Sequence, residues 1–324
     1  MRPGAAALAA FLSLGLGGCG VDSPDAQVEF AVQGAYSGTI SPQSRYAFIG
    51  SIQHGGSLWD VQQRERLYNW NHQEGAYSNL VAADFSPDGD YAVTAGQRDL
   101  VLWEVSSGLA QGFWNAPGGI QDVALAADGS FALLGLDDHT AVYFDIKNGG
   151  VRQTFFHEGP VRAVDLSDDG QLALTGGDDN LARLWDLSRG AELLSVGHGN
   201  GVNTVALAPN GRYAFSAGQL DKAVIWDTSS GEILQTLSGP ATFASQRLTY
   251  TAARFSPASD RLLTGSSAGL IQLWDIRSGE ELRRWKAHLR DPFRPTGATI
   301  YGLGFGDNGR FYALASNGYL NILR

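Results

Sequence analysis

Two glycine motifs and six histidines are the residues whose types and spacing could do chemistry. Gly265-Ser266-Ser267-Ala268-Gly269 has the G-x-S-x-G spacing that presents a serine nucleophile. Gly304-Phe305-Gly306-Asp307-Asn308-Gly309 has the G-x-G-x-x-G spacing that lets backbone approach a pyrophosphate. Each needs a setting: the serine a strand-to-helix turn, the pyrophosphate a helix N-terminus. Both segments lead into strand-like runs, so neither is expected to be a catalytic or cofactor site. His54, His72, His139, His157, His198 and His288 occupy turn-like positions spread along the chain, too dispersed for three or four to converge on zinc. The aspartates of SPDG, AADG and SDDG fit tight turns, where they hold local geometry. No catalytic residue, cofactor or metal is therefore expected, and no concentration of acids and histidines at one site.

The elements that carry these residues repeat. The segments LWDV, LWEV, YFDI, LWDL, IWDT, LWDI and NILR bring Trp59, Trp103, Phe144, Trp185, Trp226, Trp274 and Leu323 into register, at separations of 44, 41, 41, 41, 48 and 49 residues. A period of about 40–45 residues suits a four-stranded propeller blade. Turn sequences precede each of them: SPQS, SPDG, AADG, SDDG, APNG, SPASD and GDNG. Short runs of β-branched, aromatic and small residues flank the turns, and no long segment has strong helical periodicity.

This pattern resembles the WD-repeat propeller family over nearly all of the chain after residue 26. The likeness is strongest from His157 to Asp186, through Val161, Val164, Gly170, Thr175, Gly176 and Asp179 to Leu184-Trp185-Asp186. It implies an all-β, seven-bladed β-propeller of four-stranded antiparallel blades. It also implies a buried hydrogen-bond chain from the Trp185 indole to Thr175, then His157, then Asp179. Blade five keeps His198, Ser216 and Trp226, but Leu220 takes the acidic position and Asp221 falls one place late. Blade six keeps Thr264 and Trp274 without the histidine or the aspartate. Because the chain stops after the third strand of blade seven, residues 27–34, QVEFAVQG, are expected to supply the missing outer strand and remove the open edge.

The first residues point to export. Arg2 precedes an apolar run of about twelve residues from Ala5 to Leu16, shorter than the roughly twenty that span a bilayer. It ends in Leu16-Gly17-Gly18-Cys19, which resembles the bacterial lipobox. The resemblance implies a signal peptide over 1–18, a lipidated Cys19 with a short tether over 19–26, and the propeller over 27–324. The expected location is the bacterial cell envelope; in a Gram-negative host, Gly20 after the cysteine points to the outer membrane, facing the periplasm. A net charge of −10 argues against nucleic acid as a partner.

Function is expected to reside in loops. Seven residues separate His157 from Val164, but 13 separate Pro240 from Ala253 and 15 separate His288 from Leu303. These enlarged connections carry Arg247, Tyr250, Arg290, Phe293 and Arg294, residue types enriched in interface hot spots. The expected function is non-enzymatic: a monomeric, lipid-anchored scaffold that binds an envelope protein or complex. The alternative is a ligand-binding, hydrolase- or lyase-type propeller with its site at the channel mouth.

Overall fold

The computed structural model describes residues 20–73, 75–237, 248–291 and 297–324. Within them lie seven four-stranded antiparallel sheets arranged as the blades of a ring. Blades one to six span 35–70, 82–115, 120–156, 161–197, 202–237 and 250–286, each running from an inner strand to an outer one. Blade seven takes three strands from 300–323 and its fourth from Ala26–Glu29, which pairs antiparallel with Tyr319–Leu323. The closing strand is shorter than the eight-residue run expected. Beyond Glu29 the chain turns over the rim, where Phe30 stacks on Trp59 with ring centroids 4.4 Å apart.

Alternation of small and branched apolar residues gives each blade two buried faces, so the core is seven inter-blade layers. Between blades four and five, for example, Leu174, Leu184, Val202, Val205 and Trp226 pack together. Turns are set by residues that tolerate positive φ. The first turn of blade four uses Gly170 at φ 67°, whereas blades one and six use Ser44 and Ser259, both at φ 54°. Each serine hydroxyl compensates by reaching the neighbouring blade: Ser44 donates to the Phe305 carbonyl at 3.0 Å, and Ser259 accepts from the Asn210 N–H at 3.3 Å.

The segment expected as a free tether is docked where it is described. The Asp22 N–H donates to the Arg284 carbonyl and its own carbonyl accepts from the Lys286 N–H, both at 2.9 Å, while its carboxylate pairs with Arg283 at 3.0 Å. The N-terminal segment thus crosses the edge of blade six before it completes blade seven. Cys19 and the expected signal peptide lie outside the described residues.

Candidate functional site

The ring has two faces. One carries the first turns, such as 167–170. The other carries the turns between second and third strands, the connections between blades, and all six histidines. The histidines are distributed around the ring, and among the described residues no group of three or more His, Cys, Asp or Glu could hold a metal ion.

On the histidine face, blade four holds a continuous polar chain. The Trp185 Nε1–H donates to Thr175 Oγ1 at 2.8 Å, Thr175 lies 2.7 Å from His157 Nε2, and His157 Nδ1 lies 3.1 Å from Asp179 Oδ2. Arg183 also donates to Asp179. Burial alone would raise the Asp179 carboxyl, but these bonds hold it below the usual carboxylate range. Burial depresses the His157 imidazole, outweighing the attraction of Asp179. Blade two contains a second complete set: Trp103 donates to Thr94 at 2.8 Å, and His72 bonds to Thr94 at 2.9 Å and to Asp99. The sequence reading missed it because 22 residues, not 18, separate its histidine from its threonine, and its aspartate lies four, not six, residues before its tryptophan. In blade five, His198 reaches Ser216 at 2.9 Å, but its Nδ1 is buried without a hydrogen bond, 4.0 Å from Asp221.

Of the expected partner patch, Tyr250 and Arg290 lie within the described residues, and both are engaged in the ring. Tyr250 is not a loop residue: it begins the inner strand of blade six, 3% exposed, packed edge-on against Phe215. Its phenol must be buried because that strand position faces the core between blades five and six. Arg290 is engaged in ring closure, paired with Glu29, donating to the carbonyls of Ala31 and Asn317 at 2.8 and 2.9 Å, and lying over the Tyr319 ring. Arg247, Phe293 and Arg294 lie outside the described residues.

A different surface emerges on the same face. Six inner strands carry a bulge at their second residue, placing Tyr36, Gln121, Arg162, Asn203, Thr251 and Tyr301 around the channel rim. Bulges at such rims re-aim side chains. Around blade one this rim continues into apolar surface: Val32, Tyr36, Tyr77 and Val81 are 40–69% exposed. Their segments are knitted together by the Ile52 N–H on the Gly34 carbonyl at 3.0 Å, Ser37 Oγ on the Leu80 carbonyl at 2.7 Å, and the edge contact of Tyr77 with His54.

The opposite mouth corrects the expectation of no acid concentration. A cavity of about 890 Å³ in the channel is walled by Asp84, Asp122, Asp165, Asp168 and Arg254. No histidine lines it. Neighbouring inner strands share no backbone ladder, and side chains bridge every junction instead. Carboxylates do so over four consecutive blades: Asp84 accepts from the Leu125 N–H at 2.9 Å, Asp122 from Val164 at 3.0 Å, and Asp165 from Leu207 at 2.6 Å. Hydroxyl donors serve the rest, including Thr204 to the Tyr250 carbonyl at 2.8 Å and Thr251 to the Ile300 carbonyl at 2.7 Å. Arg254 passes blade seven, donating to the carbonyls of Leu303 at 3.3 Å and Ile40 at 2.5 Å. At Gly304 blade one packs closely on blade seven, since an added Cβ there would meet Ser44 Oγ at 2.4 Å.

Residues 149–186, 191–227 and 231–275 match the family described as WD domain, G-beta repeat. Each match runs from the outer strand of one blade through the third strand of the next, the same offset that leaves Ala26–Glu29 to complete blade seven. The comparison with curated proteins returned no match. In blade architecture around the whole ring, and in sequence over those three stretches, the chain is similar to the WD-repeat propellers.

Proposed function

We propose that this protein is a non-enzymatic scaffold, held at an envelope membrane by acylated Cys19, that binds a protein partner on the histidine face around blade one. The observation that carries this reading is the exposed apolar surface of Val32, Tyr36, Tyr77 and Val81 on a braced ring. Aromatic side chains on rigid supports contribute strongly to binding because little conformational entropy is lost when they are covered. WD-repeat propellers are typically protein-interaction scaffolds, which favours the same reading. The absence of histidine from the acid-walled mouth, and the use of its carboxylates as structural acceptors, favour it over a hydrolase- or lyase-type site.

Two measurements test the halves of this reading separately. Replacing Cys19 with Ala should move the protein from the membrane fraction to the soluble one; retention after salt washing would refute acyl anchoring. For the binding face, a photocrosslinking residue at Tyr77 should form a discrete adduct in native envelopes that is lost in a Tyr36→Ser/Val81→Ser background. The same probe at Asp88, on the opposite face, should form none. Adducts from position 88 alone would place the partner on the wrong side for this reading.

A further inference from the structure

Asp84, Asp122 and Asp165 share a geometry that the binding role does not use. Each lies on the inner strand of its blade and accepts one backbone N–H from the next blade at 2.6–3.0 Å. None has a Lys, Arg or His nitrogen within ion-pair distance among the described residues. The charged groups that bear on them are few. Arg254 attracts Asp84, Asp165 and Asp168; Asp84 repels Asp122 and Asp165; and Asp168, at the mouth, repels Asp84 and Asp165. Tyr301, Arg261 and Asp307 complete the ionisable lining. Arg254, already committed to two carbonyls, therefore bears on two of the three wall carboxylates, Asp84 and Asp165, and on Asp168 at the mouth.

We propose that Asp84, Asp122 and Asp165 form a proton-binding wall, which takes up protons in the folded ring and whose deprotonation loosens the junctions between blades two and three, three and four, and four and five. A neutral carboxyl still accepts the neighbouring N–H through its carbonyl oxygen, so protonation keeps the bridges and removes the repulsion. Burial pushes the carboxyls up to about 6 for Asp84, about 7 for Asp122 and about 8 for Asp165, against backbone hydrogen bonds that lower them. The sign follows from linkage. In each case the folded state binds the proton more tightly than the unfolded chain, so stability is full at low pH and falls as pH rises through the folded value. Depressed histidines act oppositely, and only below about pH 6.5, so the window above that belongs to Asp122 and Asp165.

The test is thermal unfolding of the intact folded protein from pH 6.5 to pH 9. The wild-type Tm should fall by about 5 °C across this range. Asp84→Asn/Asp122→Asn/Asp165→Asn, which keeps an acceptor at every junction but cannot ionise, should show a nearly flat Tm and exceed wild type at pH 9. A flat wild-type curve, or an equal slope in the triple variant, overturns the proposal. If the triple variant does not fold, the wild type decides by infrared spectroscopy. The C=O stretch of protonated carboxyl groups should be present at pH 6.5 and lost by pH 9, and its absence at pH 6.5 overturns the proposal equally.

Discussion

Blades four and five are built from nearly the same residues, yet only one completes its polar chain. In blade four the turn between second and third strands puts Asp179 beside His157, with Asn180 taking the left-handed conformation at φ 67°. In blade five the left-handed residue is Leu220, one place earlier, at φ 50°. Asp221 then accepts from the Gly199 N–H at 2.5 Å, and the His198 Nδ1 is left without a hydrogen bond. Burial, reinforced by Lys222, consequently drives the His198 pKa down to about 4. The strands, the tryptophan and the hydroxyl are unaffected: Trp226 still donates to Ser216 at 3.2 Å. The histidine–acid contact is thus a property of turn conformation, and the blade forms without it.

The largest test of this contrast is removal of the acid. Asp179→Ala takes the acid from His157 and leaves Arg183 paired with Glu192 alone, in a site where the Asp179 side chain is only 4% exposed. It should cost about 3 kcal/mol in chemical denaturation. Asp221→Ala removes the acceptor of the Gly199 N–H without uncovering a paired arginine and should cost about 1 kcal/mol. Equal losses would erase the distinction between the blades.

Removing the central hydroxyl should have an intermediate effect. Thr175→Val deprives both Trp185 and His157 of their partner and should cost about 2 kcal/mol. Ser216→Ala, in a chain already incomplete, should cost about 1 kcal/mol, measured in the same way.

The smallest and sharpest test rebuilds blade five on the pattern of blade four. Leu220→Asp/Asp221→Asn recreates the Asp-Asn pair and supplies asparagine for the left-handed position. It should stabilise by about 0.5 kcal/mol and raise the His198 pKa from about 4 in an NMR titration. An unchanged pKa would show that something other than the turn holds the acid away.

Much of this was legible in the residues. The tryptophan register and turn sequences specify blade number and strand order because each strand pairs with its sequence neighbour over a short turn. The incomplete set in blade five was legible too, since Leu220 occupies the acidic position. The set in blade two was hidden by a lengthened connection, and the exposed rim at Tyr36 depends on a bulge that no residue type announces.

What the sequence by itself determined is therefore the local and periodic part: seven repeats, their turns, and a shortfall of one strand at the end that a strand at the start could fill. Tertiary structure alone decided which side chains face one another across blades. It buried Tyr250, committed Arg290 to Glu29, and gathered Asp84, Asp122 and Asp165 on one channel wall. Each of those aspartates bonds a residue 41 or 42 positions away, one repeat further on. Arg254 reaches Ile40 across 214 positions. Strand alternation assigns a side chain to a face, but only closing the ring brings opposite ends of the chain within hydrogen-bonding distance.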